Sequence, residues 1–147
     1  MALGDVPISR AVVRAALGAG LAEGMPTAMQ VYPWQQSDFG GYSPVVRVVN
    51  AGSERPAKEA RGIRSKFYLA VQLWVRFRLQ DGSWVEEQAE EQLDQLELEL
   101  VTWLTENQQT ALWTNIQYAE RSTVGTSSLA GELWLVEDVP IVVEVYG

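Results

Sequence analysis

The sequence predicts an α+β domain with a mostly antiparallel sheet of about four or five strands, two helices packed on one face, and a long projecting loop or hairpin. Residues 67–80 alternate between apolar and mostly polar side chains, which is the period of a strand. Residues 84–106 carry apolar side chains at helical spacing, and shorter β-branched runs lie on both sides of this pair. A chain of 147 residues suits one core, so residues 1–147 are predicted to form a single domain.

A first helix is predicted over residues 5–19. Asp5 is a suitable N-cap, and Pro7 falls in the first turn, where a missing N–H costs little. Gly18 and Gly20 are expected to end the helix. The predicted buried face has mostly small side chains, which favours close packing on a sheet. It consists of Ile8, Val12, Ala15, Ala16 and Ala19.

The next segment, residues 24–44, is rich in proline and glycine and is predicted to be mostly loop, with at most one short strand near residues 28–32. It contains three large aromatic residues, Trp34, Phe39 and Tyr42. They either fold back over the core or take part in an interface, and the sequence leaves both interpretations open.

Residues 45–49 form a short β-branched run that predicts a strand, which residues 50–53 are expected to break. Residues 54–66 have no regular period and are predicted to form a long exposed loop between neighbouring antiparallel strands. Loops longer than about 12 residues are commonly functional in small domains, so we expect this one to contact a partner. Five bases against two acids make it basic: Arg55, Lys58, Arg61, Arg64 and Lys66.

The strand over residues 67–80 would be about 45 Å long at ~3.3 Å per residue, longer than most strands, so its far end is expected to project beyond the domain. Its apolar face is predicted to pack on the core. The other face is expected to meet solvent or a neighbouring subunit. Three residues on that face are candidate interface residues: Trp74, Arg76 and Arg78.

After the turn at Asp81 and Gly82, Ser83 and Glu86 match a capping box, and the helix is expected to run to about Glu106. Its apolar stripe is Val85, Ala89, Leu93, Leu96, Leu100, Trp103 and Leu104. Its acidic face lacks compensating lysines and would be relieved by a basic neighbour; its candidate interface residues are Glu87, Glu90, Glu91 and Asp94. A divalent cation site is conceivable there, but such charge runs are usually solvated, so no metal is expected.

The remaining chain predicts three strands. The first covers residues 113–119, with Ile116 and Tyr118 as packing residues, and a polar loop over residues 120–128 follows. The second covers residues 129–136. Residues 141–146 form the last strand, which continues the second through a bulge because Pro140 interrupts the run.

The composition excludes several kinds of chemistry. Cysteine and histidine are absent, which rules out disulfides, thiolate zinc sites and histidine-based catalysis. The sequence has no nucleotide-binding glycine motif, so neither enzymatic activity nor a cofactor is expected. No apolar run approaches the roughly 20 residues of a membrane span, and the N-terminus does not resemble a secretory signal, so we expect the protein to be made in a cytoplasm.

Charge is distributed unevenly along the chain. The net charge is −8; residues 1–78 carry ten bases and five acids, whereas residues 79–147 carry one base and fourteen acids. This polarity favours head-to-tail contacts between copies, in which a basic surface meets an acidic one. It disfavours duplex DNA as a partner of the acidic half.

The order of elements resembles that of the tail terminator (tail completion) proteins of long-tailed bacteriophages. The matching stretches are SPVVRV at residues 43–48 with the charged loop after it, residues 67–77 leading into the helix with Leu93 and Leu96, and residues 130–146 ending in VVEVY. The loop over residues 54–66 and the C-terminal ending are longer than the family pattern requires.

The resemblance implies a structural virion protein, an α+β subunit of a hexameric ring that caps the tail tube, stops its polymerisation and joins the tail to the head and neck. Its implied location is the tail and neck of the virion, after assembly in the host cytoplasm. The implied partners are further copies of itself, the tail tube protein and neck or connector proteins. No membrane is involved, and DNA would pass through the ring lumen without specific binding.

Two alternatives stay open. The chain would instead be another ring protein of the particle, such as a connector, neck or tail tube protein; a tube protein should form filaments alone, whereas a terminator should stop at one ring. A ligand-binding α+β domain or small enzyme is the alternative of a different class, and a monomer with a deep pocket would favour it.

Overall fold

The computed structural model describes residues 8–55, 64–77 and 86–146, and it confirms the α+β class with two helices and a mostly antiparallel sheet. The elements in chain order are α1 (Arg10–Gly24), β1 (Gln30–Tyr32), β2 (Val45–Glu54), β3 (Arg64–Phe77), α2 (Glu86–Glu106), β4 (Asn115–Tyr118), β5 (Thr123–Leu129) and β6 (Glu132–Tyr146). No helix in these three ranges is long and apolar enough to cross a membrane.

The sheet is organised around the pair β3 and β6. Its order is β1-β2-β3-β6-β4, and β5 also pairs with β6. Among the described strands, only β1 and β2 pair in parallel. The pairing of β3 with β6 runs without a shift from Arg64 opposite Tyr146 to Phe77 opposite Leu133. Such a long ladder gives the sheet a rigid central axis, and the helices lie on one face of it.

The predicted break at Pro140 is wrong, because β6 is one continuous strand. β5 pairs with β6 as far as Asp138, and β4 pairs with it from Ile141 onward. Pro140 therefore lies where β6 changes partner on that side. A residue without an N–H is tolerated at such a gap in the ladder, so the strand needs no bulge.

The predicted polar loop over residues 120–128 is also wrong in its larger part, since β5 occupies Thr123–Leu129. A two-residue turn joins β5 to β6, with Ala130 at φ 52° and Gly131 at φ 77°. Two successive positive φ values are typical of the turn that fits the twist of a hairpin. The serine- and threonine-rich β5 has no apolar alternation because most of its residues are exposed. With β5, the described part of the chain forms a sheet of six strands rather than the predicted four or five.

Helix α1 begins later and ends later than predicted. Ser9 is its N-cap and its hydroxyl accepts a hydrogen bond from the Ala11 N–H at 3.1 Å. The helix continues through Gly18 and Gly20 to Gly24, so the two glycines do not end it. The predicted N-cap and first turn, residues 5–7, lie outside the described residues.

The glycines of α1 serve close packing instead. A Cβ atom added to Gly20 would lie 2.2 Å from the Trp103 ring, and one added to Gly24 would lie 2.3 Å from it. The indole of α2 thus rests directly on the backbone of α1. The buried face of α1 is accordingly Val13, Leu17 and Leu21 rather than the predicted alanine face, and Val12 is 51% exposed.

The boundaries around the basic segment also differ from the prediction. β2 does not stop at residue 49 but continues through a bulge between Asn50 and Gly52 to Glu54. β3 begins at Arg64, three residues earlier than predicted, so residues 64–66 belong to a strand rather than to a loop. Residues 56–63, residues 78–80 and the predicted capping box at residues 83–86 lie outside what the structure describes, apart from the helical backbone of Glu86.

The apolar stripe of α2 is confirmed and packs on the sheet. Its buried members are Ala89, Leu93, Leu96, Leu100 and Leu104, and they share one core with α1, β3 and β6. In β4, Ile116 is buried as predicted. Tyr118 is 42% exposed, so its prediction as a packing residue is wrong, because β4 covers only the edge of the sheet.

Candidate docking surfaces

The face of the sheet opposite the helices is partly covered by the chain itself. Phe39, in the loop after β1, is buried there among the rings of Tyr32, Trp74 and Trp134, with centroids 5.9, 5.3 and 5.2 Å away. This aromatic cluster forms a second, smaller core with Val45. Of the two interpretations left open for the loop aromatics, the folded-back one holds for Phe39.

Arg47 ties the same loop to the sheet. Its guanidinium carbon lies 4.7 Å from the Trp74 ring centroid, which is cation–π distance. Its Nε donates to Gln72 Oε1 at 2.6 Å, and one Nη donates to the Gln36 carbonyl at 2.6 Å. Burial lowers the pKa of Arg47, and the Asp138 carboxylate partly opposes this. The arrangement holds the loop against the aromatic cluster.

The prediction that this face of β3 is exposed is therefore wrong for Trp74. Trp74 is only 5% exposed, so the protein's own loop occupies the place that a partner would take. Arg76 is half-buried, with its guanidinium carbon 6.0 Å from the Trp134 ring, and its backbone N–H donates to Ser43 Oγ at 2.9 Å. Arg78 lies outside the described residues.

The basic predicted residues gather at the end of the sheet where β2 ends and β3 begins. Arg55, Arg64 and Lys66 line a cleft of about 380 Å³ with Glu54, and Arg10 reaches the adjacent Ser53 Oγ at 3.1 Å. We call Arg10, Arg55, Arg64 and Lys66 the basic end. Lys58 and Arg61 lie outside the described residues.

Contacts within the chain differ among the cations of the basic end. Arg55 donates to Ser65 Oγ at 2.9 Å and to the Ile8 carbonyl at 2.8 Å. Lys66 forms an ion pair with Glu144 at 3.6 Å. Arg64 has a buried Nε with no hydrogen-bond partner in the described part of the chain. Arg55 thus supports the fold and Lys66 is held by Glu144, while Arg64 keeps hydrogen-bonding capacity that the described residues do not use.

The structure divides the predicted carboxylates of α2 between two flanks. Glu87, Glu90, Glu91 and Asp94 are all exposed. Glu91 lines a cleft of about 350 Å³ together with three glutamines of α2, Thr27 and Arg76. Glu90 and Asp94 face the hairpin of β5 and β6 instead. The sequence predicted one acidic face, and the packing of the helix on the sheet separates it into two.

A groove with strongly acidic walls lies between α2 and the β5–β6 hairpin. Its volume is about 250 Å³, its carboxylates are Glu90, Asp94, Glu97 and Glu137, and its apolar lining is Leu93, Val124 and Leu135. A smaller cavity of about 130 Å³ shares Glu90 and Leu135 with it and reaches Phe77. Among the residues that the structure describes, no lysine or arginine lines either cavity. We call this the acidic groove.

Glu137 is the functional candidate that sequence reasoning missed. It is 6% exposed, and its carboxylate accepts a hydrogen bond from the Ser122 hydroxyl at 2.5 Å. Burial raises the pKa of Glu137; the bond from Ser122 opposes this, and the charges of Glu97 and Asp94 add to it. A signal existed, because Glu137 alternates with Leu135 and Val139 on the helix-facing side of β6, where a carboxylate is out of place.

Replacing Glu137 with glutamine should stabilise the domain near pH 7. A raised pKa means that the stability contributed by the protonated form is present at low pH and is lost as the pH rises through the folded-state pKa. Glutamine stays neutral and can still accept from Ser122. We expect thermal unfolding at pH 7 to shift upward by roughly a few degrees, and the gain to shrink as the pH falls and the wild-type carboxylate becomes protonated.

Glu132→Gln, on the same strand outside the groove, is the matched control and should show no such pH-dependent gain. Equal pH profiles for the wild-type protein and Glu137→Gln would contradict the assignment of a destabilising charge.

The described residues do not place three or more aspartate or glutamate side chains where they could hold a metal ion. The features that stand out are a basic end, an acidic groove and a covered aromatic face. Comparison with known proteins adds no family to these features: no protein-family model matches the chain, and no curated protein matches it.

Proposed function

We propose that this chain is a structural subunit of a bacteriophage tail, a tail terminator that forms a hexameric ring, caps the tail tube, stops its polymerisation and joins the tail to the neck. The observation that carries the proposal is the separation of opposite charges on one folded chain. The basic end lies where β3 begins. The acidic groove lies toward the other end of β3, beside the part of β6 that pairs with it.

The separation is too large for the two charged surfaces of one chain to meet. Arg64 is the first residue of β3, and Leu73, opposite Glu137, comes nine residues later. At the rise of a strand this is about 30 Å. The basic end therefore cannot neutralise the acidic groove of its own chain. Two different complementary patches on one subunit are what a head-to-tail contact needs, and such contacts produce rings when the rotation closes.

The resemblance of the sequence to tail terminator proteins indicates which kind of ring we propose. In that role the chain would contact copies of itself, the tail tube protein and neck or connector proteins, and it would reside in the virion. The chemistry of the chain agrees, because histidine and cysteine are absent and the clefts are lined mainly by charged and polar side chains that suit protein contacts.

The oligomeric state tests the proposal most directly. Purified wild-type protein should sediment as one closed species, and negative-stain images should show rings of uniform size. Because charge holds the contact, the rings should dissociate as the ionic strength rises from about 0.1 M to 1 M, where screening becomes strong. Added to polymerising tail tube protein, the rings should limit tube length and appear at tube ends.

Other outcomes would identify the alternatives. Filaments formed by the protein alone would favour a tube protein, and rings that do not cap tubes would favour a connector or neck protein. A stable monomer that binds a small ligand would overturn the proposal.

Changing Arg61 and Arg64 together to glutamate should prevent ring formation while the subunit stays folded. The change reverses the charge of Arg64 in the basic end and of Arg61, three residues earlier in the sequence, so the proposed contact with an acidic neighbour turns repulsive. Circular dichroism and thermal unfolding verify the fold, and sedimentation measures assembly. Arg121→Glu, a charge reversal at an exposed site outside this region, is the control and should leave the rings intact. Unchanged rings and unchanged tube capping in the double variant would contradict the role of these basic residues in assembly.

A further inference from the structure

β5 presents an unusually bare edge of the sheet. It pairs with β6 on one side, and within the three described ranges no strand pairs with its other side. Its seven residues contain neither a charge nor a proline. Proteins usually protect such edges with charges, prolines or bulges, because unpaired backbone groups attract other chains. An unprotected edge of this length indicates that something covers it.

The geometry of the hairpin shows which groups the edge offers. Leu129 and Glu132 flank the two-residue turn and pair with each other. Residues flanking such a turn exchange both hydrogen bonds, and the bonds then alternate along the strands. The backbone N–H and C=O groups of Val124, Thr126 and Ser128 consequently point away from β6. All three residues are exposed, and Val124 exposes 57% of its surface.

The edge and the acidic groove form one continuous surface. Val124 lines the groove itself, and Thr126 lines the smaller cavity that adjoins it. Leu93 and Leu135 supply apolar area beneath. A partner seated here would meet unpaired backbone, an apolar floor and carboxylates that have no counter-ion among the described lining residues. That combination fits a basic protein surface.

We propose that the β5 edge and the acidic groove form the acceptor half of a contact between copies of this chain, and that the basic end of a second copy docks into it. The inference rests on the head-to-tail assembly of the proposed function and names its partner surfaces. Charge complementarity identifies the occupant, since Arg64 and Lys66 stand at the opposite end of the molecule and cannot reach the groove of their own chain. Docking would bring Arg64 to Glu90 and Asp94 on the groove wall, together with Lys66, whose ammonium would leave Glu144 for them.

Two complementary charge reversals test the contact. The acceptor variant is Glu90→Lys with Asp94→Lys, and the donor variant is Arg64→Glu with Lys66→Glu. Each alone should weaken self-association at least about tenfold, because like charges then face each other across the contact. Mixed in equal amounts, the two variants should assemble again, since every contact in an alternating assembly pairs opposite charges.

The matched control is Glu87→Lys with Glu91→Lys, the same charge change on the same helix but outside the acidic groove. It should assemble like the wild type. If a reversal variant fails to fold, as judged by circular dichroism, the neutral pairs Glu90→Gln with Asp94→Asn and Arg64→Gln with Lys66→Gln replace it; each should then weaken assembly, without rescue on mixing.

The outcomes separate this inference from the proposed function. If the acceptor or the donor variant still forms rings like those of the wild type, the proposed contact is wrong and the ring proposal stands. The same holds if the reversal variants do not reassemble on mixing. A wild-type assembly that obeys the charge exchange but forms filaments would support the contact and overturn the terminator function. A wild-type protein that stays monomeric up to millimolar concentration would overturn both.

Discussion

Replacing Phe39 with alanine is expected to lower the free energy of unfolding by about 3–4 kcal/mol, the usual range for deleting a buried phenylalanine. Phe39 is the central ring of the aromatic cluster, in contact with Tyr32, Trp74 and Trp134. Its removal leaves a cavity and detaches the loop from the sheet. The lost edge-to-face ring contacts add to the effect of the lost buried area.

Chemical denaturation measures the free energy, and spectroscopy shows where the change occurs. Near-ultraviolet circular dichroism should weaken and tryptophan emission should shift to the red, because Trp74 and Trp134 become wetter. Far-ultraviolet circular dichroism should stay unchanged, since the helices lie on the other face of the sheet.

Tyr42→Ala is the control, because Tyr42 is an exposed aromatic of the same loop. It should change stability by less than about 1 kcal/mol. If Phe39→Ala proved no more destabilising than Tyr42→Ala, the aromatic cluster would not be a second core.

Gly20→Ala should destabilise the domain by about 2 kcal/mol, although glycine-to-alanine changes inside exposed helices stabilise by roughly 1 kcal/mol. The added methyl group would stand 2.2 Å from the Trp103 ring, and overpacking of this kind costs about 1–3 kcal/mol or more. The two helices would have to separate or the indole would have to leave its site. The sign of the effect distinguishes close helix packing from a merely tolerated glycine.

A double-mutant cycle with Trp103→Leu provides the matched measurement. If the clash is responsible, Gly20→Ala should cost much less when the indole is absent, which gives a coupling energy of more than about 1 kcal/mol. Gly125→Ala is the control, because no atom lies within 4 Å of its added Cβ; it should fall within about 0.5 kcal/mol of the wild type. A neutral or stabilising Gly20→Ala would contradict the packing described for α1.

The parts of the fold that the sequence predicts well are those with a long local period. The apolar stripe of α2 continues along most of the helix, and the alternation of β3 covers a whole strand, so each pattern predicts its buried face from local sequence alone. The polarity of charge along the chain is likewise visible in the sequence. These features suffice for the α+β class and for the expectation of two oppositely charged surfaces.

The sequence predictions are wrong where the structure of a residue depends on a contact with residues far away in the sequence. Gly20 resembles a residue that ends a helix, but a glycine is needed there because the Trp103 ring packs against it. β5 has no pattern of its own, since its hydrogen bonds come from β6. Trp74 alternates like an exposed residue, and only the return of Phe39 over the sheet buries it.

The candidate site divides in the same way. The sequence by itself determined that the second half of the chain is acidic, that residues 54–66 are basic, and that a long strand connects them to an amphipathic helix. Only the tertiary structure decided which carboxylates face the β5 edge, that Glu137 is buried among them, and that the aromatic face is already covered. The physical reason is that charge and periodicity are properties of the local chain, whereas burial and contact depend on which surfaces the fold brings together.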